Sequence, residues 1–426
     1  MTRRAAGGPA TPSGNSPDLL APQRDRRPDP GRHVCGVVPP FLLARLADRA
    51  DGRVAQSARH TLAVQRTLRV QRETRAGLGP AGRRAGVPAA GPGDRAGFVP
   101  ERLRRRPDVR PLRRPPADLE PGERAEREGA RAAASPHRSV HDAEHGNALP
   151  GVLRRAEGDP VHADESVNEA YDGLGATWSL FHEVYGRDSL DDAGLPLVAS
   201  VHFEREYENA FWDGEQMVFG DGDGEIFGSF TDCVDVIGHE LAHGFTQYTT
   251  GFVYVGQSGA LNEHVSDVFG VLTLQRALGH EAREADWLVG KGLFTDSVRG
   301  DALRSMKAPG TAYDDPRLGK DPQPATMADY ADLPHDEEHD NGGVHINSGI
   351  PNHAFYLAAV ELGGSAWEGV GRVWYDVMTA GRLPKDADFP GFARATLTAA
   401  DARFGAGSAQ VEAVAGAWEE VGVAPA

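Results

Sequence analysis

The chain has 426 residues, 40% of them hydrophobic, a formal net charge of −17 and two cysteines. That is ample apolar material for more than one folded unit, while Cys35 and Cys233 make neither a disulfide framework nor a Cys-x-x-Cys metal knuckle, and no apolar run reaches the roughly 18 residues needed to cross a bilayer. Residues 1–137 carry 27 Lys and Arg against 14 Asp and Glu and the rest 18 against 48, so an Arg-rich head precedes an acidic body that disfavours phosphate backbones and anionic membranes and offers the head a partner within the same chain.

Residues 1–32 are rich in Pro, Gly and Arg, lack the apolar segment of a secretory signal, and read as disordered. In 33–76, Pro39-Pro40 opens a short helix through Phe41, Leu42, Leu43 and Leu46. Val54, Ala58, Leu62, Leu68 and Val70 then recur loosely at helical spacing. Residues 77–137 form a low-complexity Arg/Pro-rich segment of unclear status. Its Gly77-Leu78-Gly79-Pro80-Ala81-Gly82 matches a nucleotide-binding glycine pattern, but no strand precedes it and a proline lies inside, so composition explains it.

From 138 onward the pattern is that of folded protein. Ser139–Asp142 reads as a strand, 165–185 as a helix, and Leu195 to Phe203 and Gln216 to Phe219 as strands. Gly220-Asp221-Gly222-Asp223-Gly224 is a turn, or alternatively a calcium loop. Helical patterns follow over Val234 to Phe245, Glu263 to Leu278, Ile350 to Leu362 and Trp367 to Thr379. The expected fold is α+β: a β-rich half over 138–250, a mainly helical half over 251–426, and a ligand site in the cleft between them.

His239-Glu240-Leu241-Ala242-His243 is the most informative stretch. Residues four apart on a helix share a face, so both imidazoles point the same way, as two zinc ligands must. Glu240 follows the first of them, within reach of a water at the metal. A catalytic zinc needs a third protein ligand and an open position. Glu263 and Asp267, one turn apart, supply a candidate ligand and a carboxylate that could orient one histidine. A surface acidic pair is the plain alternative, and His264 is a competing ligand facing another direction.

His239 to His243 with Asn262-Glu263-x-x-x-Asp267 resembles the thermolysin-like zinc metallopeptidases. The likeness extends, in family order, to Asn209-Ala210-Phe211-Trp212, the 220–224 turn, Gly251-Phe252-Val253-Tyr254, Leu303-Arg304-Ser305-Met306 and Asp340-Asn341-Gly342-Gly343-Val344-His345. It implies that His239, His243 and Glu263 bind zinc and that Glu240 shuttles a proton from water to the leaving amine. It implies that Tyr254 and His345 donate to the developing oxyanion, with Asp340 orienting His345 and Asp267 a histidine ligand. Asn209 and Ala210 would hold a substrate strand, and Arg304 a substrate carbonyl. Phe227, Phe230, Val236, Leu293 and Leu303 would line a pocket for a bulky apolar residue after the cut.

The resemblance also defines departures. The family's paired calcium site retains Asp235 and Asp286 here, but Leu274, Leu288 and Lys291 replace other acids, so that site is expected to be absent or weak. The long propeptide is missing. Residues from Cys35 to Arg75 resemble instead the short propeptide of protealysin-like precursors, expected to cover the cleft until self-cleavage near 72–80, with Cys35 a conceivable thiolate ligand. Residues 77–137 match nothing in the family, as a frame-disrupted reading of G+C-rich DNA would produce.

The sequence thus predicts a self-processed zymogen of a monomeric zinc endopeptidase acting on peptides and proteins. It would be secreted by family analogy, or cytoplasmic given that no signal is visible. A catalytically impaired homologue serving as a protein-binding module is the rival, disfavoured because Glu240, Tyr254 and His345 are all present. A nucleic-acid role for the head is weaker still, because it lacks interleaved aromatics.

Overall fold

The computed structural model describes residues 35–77 and 135–425. Pro40 sits where a helix begins, its ring fixing φ and its missing N–H costing nothing there. Helix α1 (Pro40–Arg49) starts at that residue and buries Leu42, Leu43 and Leu46. A second helix of the head, α2 (Gly52–Gly77), follows at once. Ahead of both lies a two-residue strand, β1 (Cys35–Gly36).

The body supplies β2 (Ser139–Asp142), β3 (Val152–Ala156), α3 (Glu165–Ser179), β4 (Val198–Val201), β5 (Ala210–Trp212) and β6 (Met217–Phe219). The strands form one six-stranded sheet in the order β1-β5-β6-β4-β2-β3. Its edge is therefore a strand of the head, paired antiparallel with β5 through Cys35 with Trp212 and Gly36 with Phe211. The helix expected over 165–185 ends at Ser179 and passes into one π turn, Leu180–Val184.

Two central helices carry the site. Helix α4 (Val234–Tyr248) is buried from Asp235 to Thr246, and α5 (Gly256–Leu278) is buried along nearly all of its length. They cross at two glycines. A Cβ on Gly270 would lie 2.4 Å from the Asp235 carbonyl oxygen, and one on Gly238 would lie 3.0 Å from Gly270 Cα. Hydrogen at both positions lets the backbones approach closely, which draws Glu263 and Asp267 on α5 against His239 and His243 on α4.

The structure starts α5 at Gly256, not at Glu263 as periodicity suggested. Its first turns hold Gly, Ser and Asn, poor helix formers that burial overrides. After the short pairs β7 (Leu288–Val289) with β8 (Arg304–Ser305) and β9 (Asp314–Asp315) with β10 (Gly319–Lys320) come α6 (Asp340–Asn347), α7 (Gly349–Leu362) and α8 (Val370–Thr379). Two further helices, α9 (Phe389–Phe404) and α10 (Ala409–Glu420), escaped the sequence reading. Their start signals were present: Asp388 and Ser408 cap them by accepting from Gly391 N and Val411 N. A contiguous apolar core runs from Val37 and Leu43 of the head to Trp374 and Trp418 of the last helices. The sheet-bearing and helical halves meet along α4.

Candidate active site

His239, His243 and Glu263 each offer a ligand atom, and the three atoms lie within 4.8 Å of one another, all buried. The hydrogen bonds fix what those atoms are. His239 Nδ1 lies 2.8 Å from Asp267 Oδ1 and His243 Nδ1 lies 2.9 Å from Asn262 Oδ1. Both acceptors call for a proton on Nδ1, which leaves each Nε2 a lone pair. Those two Nε2 atoms face each other at 3.2 Å, and Glu263 adds its carboxylate 3.5 Å from either ring. Glu263 Oε2 accepts no hydrogen bond. Two lone pairs and an orphaned carboxylate oxygen in a dry cavity repel one another unless a cation joins them, and two imidazoles with one carboxylate are donors suited to zinc.

The electrostatics agree. Burial pushes the Glu263 carboxyl upward, but the neighbouring charges, the His345 ring first among them, hold the acid below its ordinary range. His243 is pushed down to about 4 by burial, so it stays neutral and able to ligate. Asp267 is the most heavily bonded carboxylate of the cluster. Burial opposes its ionisation, but the Arg304 guanidinium and His239 hold it well below the carboxylate range. Its two oxygens receive Arg304 Nη2 and Nε at 2.8 and 2.9 Å, and Asn352 Nδ2 at 2.8 Å.

Glu240 occupies the adjacent position. Its Oε2 accepts from Trp212 N at 3.0 Å, while Oε1 is buried without a hydrogen-bond partner. Burial, reinforced by the Glu263 charge, raises its carboxyl well above the usual value. Such a carboxyl, raised by burial and beside the metal ligands, is placed to carry a proton. Opposite it, the Tyr254 hydroxyl donates to Glu263 Oε1 and lies 3.3 Å from His345 Nε2. His345 Nδ1 meets Asp340 Oδ1 at 2.6 Å. Burial works against protonating this ring, but the Glu263 and Asp340 charges raise it to about 9, making it a hydrogen-bond donor. Asp340 stands first in a left-handed run that includes Asn341, Gly342 and Gly343, and its Oδ2 accepts from His345 N at 2.8 Å.

The remaining predicted residues line the cleft beside this cluster, and the head already occupies them. Asn209 Oδ1 accepts from Val38 N at 2.9 Å and Asn209 Nδ2 donates to Val38 O at 3.0 Å. Ala210 O accepts from Val37 N at 3.2 Å. Arg304 Nη1 donates to Val37 O at 3.0 Å. Val37 is fully buried and shares one apolar cluster with Phe227, Phe230, Val236, Leu293 and Leu303.

His264, the competing ligand, points elsewhere: it bonds Asn352 Oδ1 and accepts from Trp374 Nε1. The sequence reading gave no role to Asn262 and Ser266, which both reach His243 Nδ1, or to Asn352, which bridges Asp267 and His264. The spacing of Asn262 and Ser266, one turn apart and beside Glu263 and Asp267, was the available signal for two of them. The side chain of Cys35 lies outside the described residues.

Two family profiles cover the body: "Thermolysin metallopeptidase, catalytic domain" over residues 139–247 and "Thermolysin metallopeptidase, alpha-helical domain" over 250–423. The chain belongs to the thermolysin metallopeptidase family. As a member of that family it is a zinc metallopeptidase. It is 53% identical over 291 residues to "Extracellular metalloprotease" of Pectobacterium carotovorum subsp. carotovorum, a match spanning 68% of this chain and 82% of the relative. It is 50% identical to "Protease PrtS" of Photorhabdus sp. (strain Az29), over 67% of this chain and 76% of the relative. Among solved structures, the "Precursor of Protealysin, Metalloproteinase from Serratia proteamaculans" superposes with a TM-score of 0.72 at 43% identity, covering 92% of this chain and 100% of that one. This thermolysin-family chain therefore has the α+β fold expected from its sequence, with the metal cluster between the sheet-bearing and helical halves.

Proposed function

We propose that this thermolysin-family chain is the self-processed zymogen of a zinc endopeptidase that cuts before bulky apolar residues. Bound by His239, His243 and Glu263, zinc supplies Lewis acidity and a nucleophilic water. With zinc held there, Glu240 would be the residue placed to accept a proton from an attacking water and pass it to the leaving amine. Tyr254 and His345 donate hydrogen bonds to the oxygen on which negative charge grows, with His345 aimed by Asp340. Asp267 and Asn262 hold the two ligand rings in the tautomer that presents Nε2. Asn209 and Ala210 pair with the substrate backbone as an added strand, Arg304 binds the carbonyl after the cut, and Phe227, Phe230, Val236, Leu293 and Leu303 receive the apolar side chain.

The reading rests chiefly on one observation: three ligand atoms converge around an orphaned Glu263 oxygen, beside a second orphaned oxygen on Glu240. Residues 33–76 are taken as the propeptide because their backbone fills the positions a substrate would use, and a relative in structure is named as a precursor. Three relatives are named as extracellular proteases or proteases, which favours secretion of this one. A monomer needs no partner copy to complete the site. Lys291 Nζ lies 2.8 Å from Asp286 Oδ2, and Gly290 N donates to Asp235 Oδ2 at 2.6 Å. A cation is already in place there, and we take the paired calcium site as absent. Zinc-dependent cleavage of casein that disappears in Glu240→Gln, with zinc still bound, is the expected result. A Glu240→Gln protein that binds zinc and cuts casein at the wild-type rate would refute it and favour the protein-binding alternative.

A further inference from the structure

The contacts between head and cleft fall on the two sides of a single peptide bond. The Gly36 carbonyl oxygen lies 3.2 Å from His345 Nε2. The next amide, Val37 N–H, donates to Ala210 O at 3.2 Å. So the carbonyl of Gly36 faces the group that donates to a developing oxyanion, and the amide of Val37 is held by the strand that would hold a substrate. On the far side, Arg304 holds Val37 O and Asn209 holds both backbone groups of Val38. On the near side, β1 runs antiparallel along β5.

We infer that the Gly36–Val37 bond of the head is itself a substrate of this active site, cut in cis as a step of maturation. This rests on the reading of the cleft given above and adds a cleavage point to it.

Two features of the sequence fit that register. Val37 presents an apolar side chain, fully buried, as the residue after the cut requires. Gly36 is the residue before the cut, and its lack of a side chain is needed for the close approach. A Cβ there would lie 2.7 Å from Asn209 Nδ2 and 2.9 Å from Ala210 O, the second a backbone atom that cannot swing aside. The head therefore meets the cleft at full backbone contact, with the scissile geometry set by strand pairing rather than by side-chain fit.

The step is a hydrolysis and needs only water. Its oxygen bonds to the Gly36 carbonyl carbon and the bond from that carbon to Val37 N breaks. Both water protons end on Val37 N, relayed through Glu240. The products are a carboxylate on Gly36 and an α-ammonium on Val37.

The products also explain why this cut alone does not empty the cleft. Residues from Val37 onward stay tethered through α1 and α2, whose Arg53, Ser57 and Thr61 bond to 206–208 of the body. The segment before Val37 leaves, and the rest stays until a second cut behind α2.

The experiment follows full-length protein supplied with zinc, by intact mass and N-terminal sequencing, alongside casein turnover in the same incubation. A fragment beginning at Val37 is expected before casein turnover rises, at a rate independent of protein concentration, and absent in Glu240→Gln. Gly36→Ala should slow that cut at least about tenfold, since small misplacements at a reacting bond have large effects. In zinc-free full-length protein carrying Glu240→Gln, adding Gly36→Ala should speed hydrogen exchange of the 35–38 amides, a readout that needs no catalysis. Casein turnover that develops with residues 1–72 released in one piece would overturn the inference while leaving the endopeptidase intact. So would a Gly36→Ala chain cut as fast as wild type. Absence of both casein turnover and the Val37 fragment would instead strike at the proposed function itself.

Discussion

Two groups of charged residues on and around α4 and α5 have opposite needs. At one, His239, His243 and Glu263 bring two nitrogen lone pairs and an unpartnered carboxylate oxygen together. At the other, Asp235 receives the Gly290 amide and Asp286 receives the Lys291 ammonium. Burial has pushed Asp235 up to about 6, against the pull of the Gly290 amide, which favours its charged form. The first group is incomplete without a cation, and the second has its charge met from within the chain. Counting acids near a helix pair does not identify a metal site. What sets the first group apart is an unpartnered carboxylate oxygen lying beside two imidazole lone pairs.

The sharpest way to break this contrast is at Glu240, the other unpartnered oxygen of the first group. Glu240→Gln removes proton transfer without removing a ligand, so turnover should fall about 10²–10⁴-fold with zinc content unchanged, read by casein hydrolysis and metal analysis. Tyr254→Phe should lower turnover about 10²–10³-fold, with the Michaelis constant little changed if its hydroxyl acts on the transition state. Asn262→Ala should weaken zinc about 10–100-fold by freeing the His243 ring, seen in competition with a chelator. At the second group, wild type should retain no calcium after gel filtration, and two tightly held ions per chain would contradict the contrast.

The smallest effect comes from a third acid pair, Glu208 and Asp223. Both Glu208 oxygens are buried without a hydrogen-bond partner. Burial first, then the Asp223 charge, push its carboxyl from 4.5 to about 9. The native state thus keeps a proton that the unfolded chain releases, so stability falls as pH rises from about 4.5 to about 9. Melting temperature should drop over that window, by about 5 °C more in wild type than in Glu208→Gln. Equal slopes would mean that a cation, rather than a proton, joins these carboxyls.

The chemistry of the site was more legible than its supports. Strict spacing exposes His239, His243, Glu263 and Asp267, because helix geometry turns sequence intervals into directions. The pocket residues were named only through family resemblance, since Phe227 or Leu293 alone looks like any core residue. Asn352 could not be foreseen: it reaches Asp267 from a different helix, and an asparagine beside Pro351 carries no periodic signal. Helix α5 was begun too late because its glycines and polar residues read as a loop. Gly238 and Gly270, further along, permit the close crossing of α4 and α5 that brings His239, His243 and Glu263 together. The sequence at 220–224 admits a calcium loop as well as a plain turn. Asp223 Oδ1 accepts the amides of Glu225, Ile226 and Phe227, which is the work of a turn-capping aspartate.

X-ray absorption at the zinc edge of the purified wild-type protein tests the account most directly. One zinc per chain is expected, with two imidazole nitrogens at about 2.0–2.1 Å and a carboxylate oxygen at about 2.0–2.2 Å. A zinc bound through sulfur, or one whose spectrum is unchanged in Glu263→Ala, would contradict it.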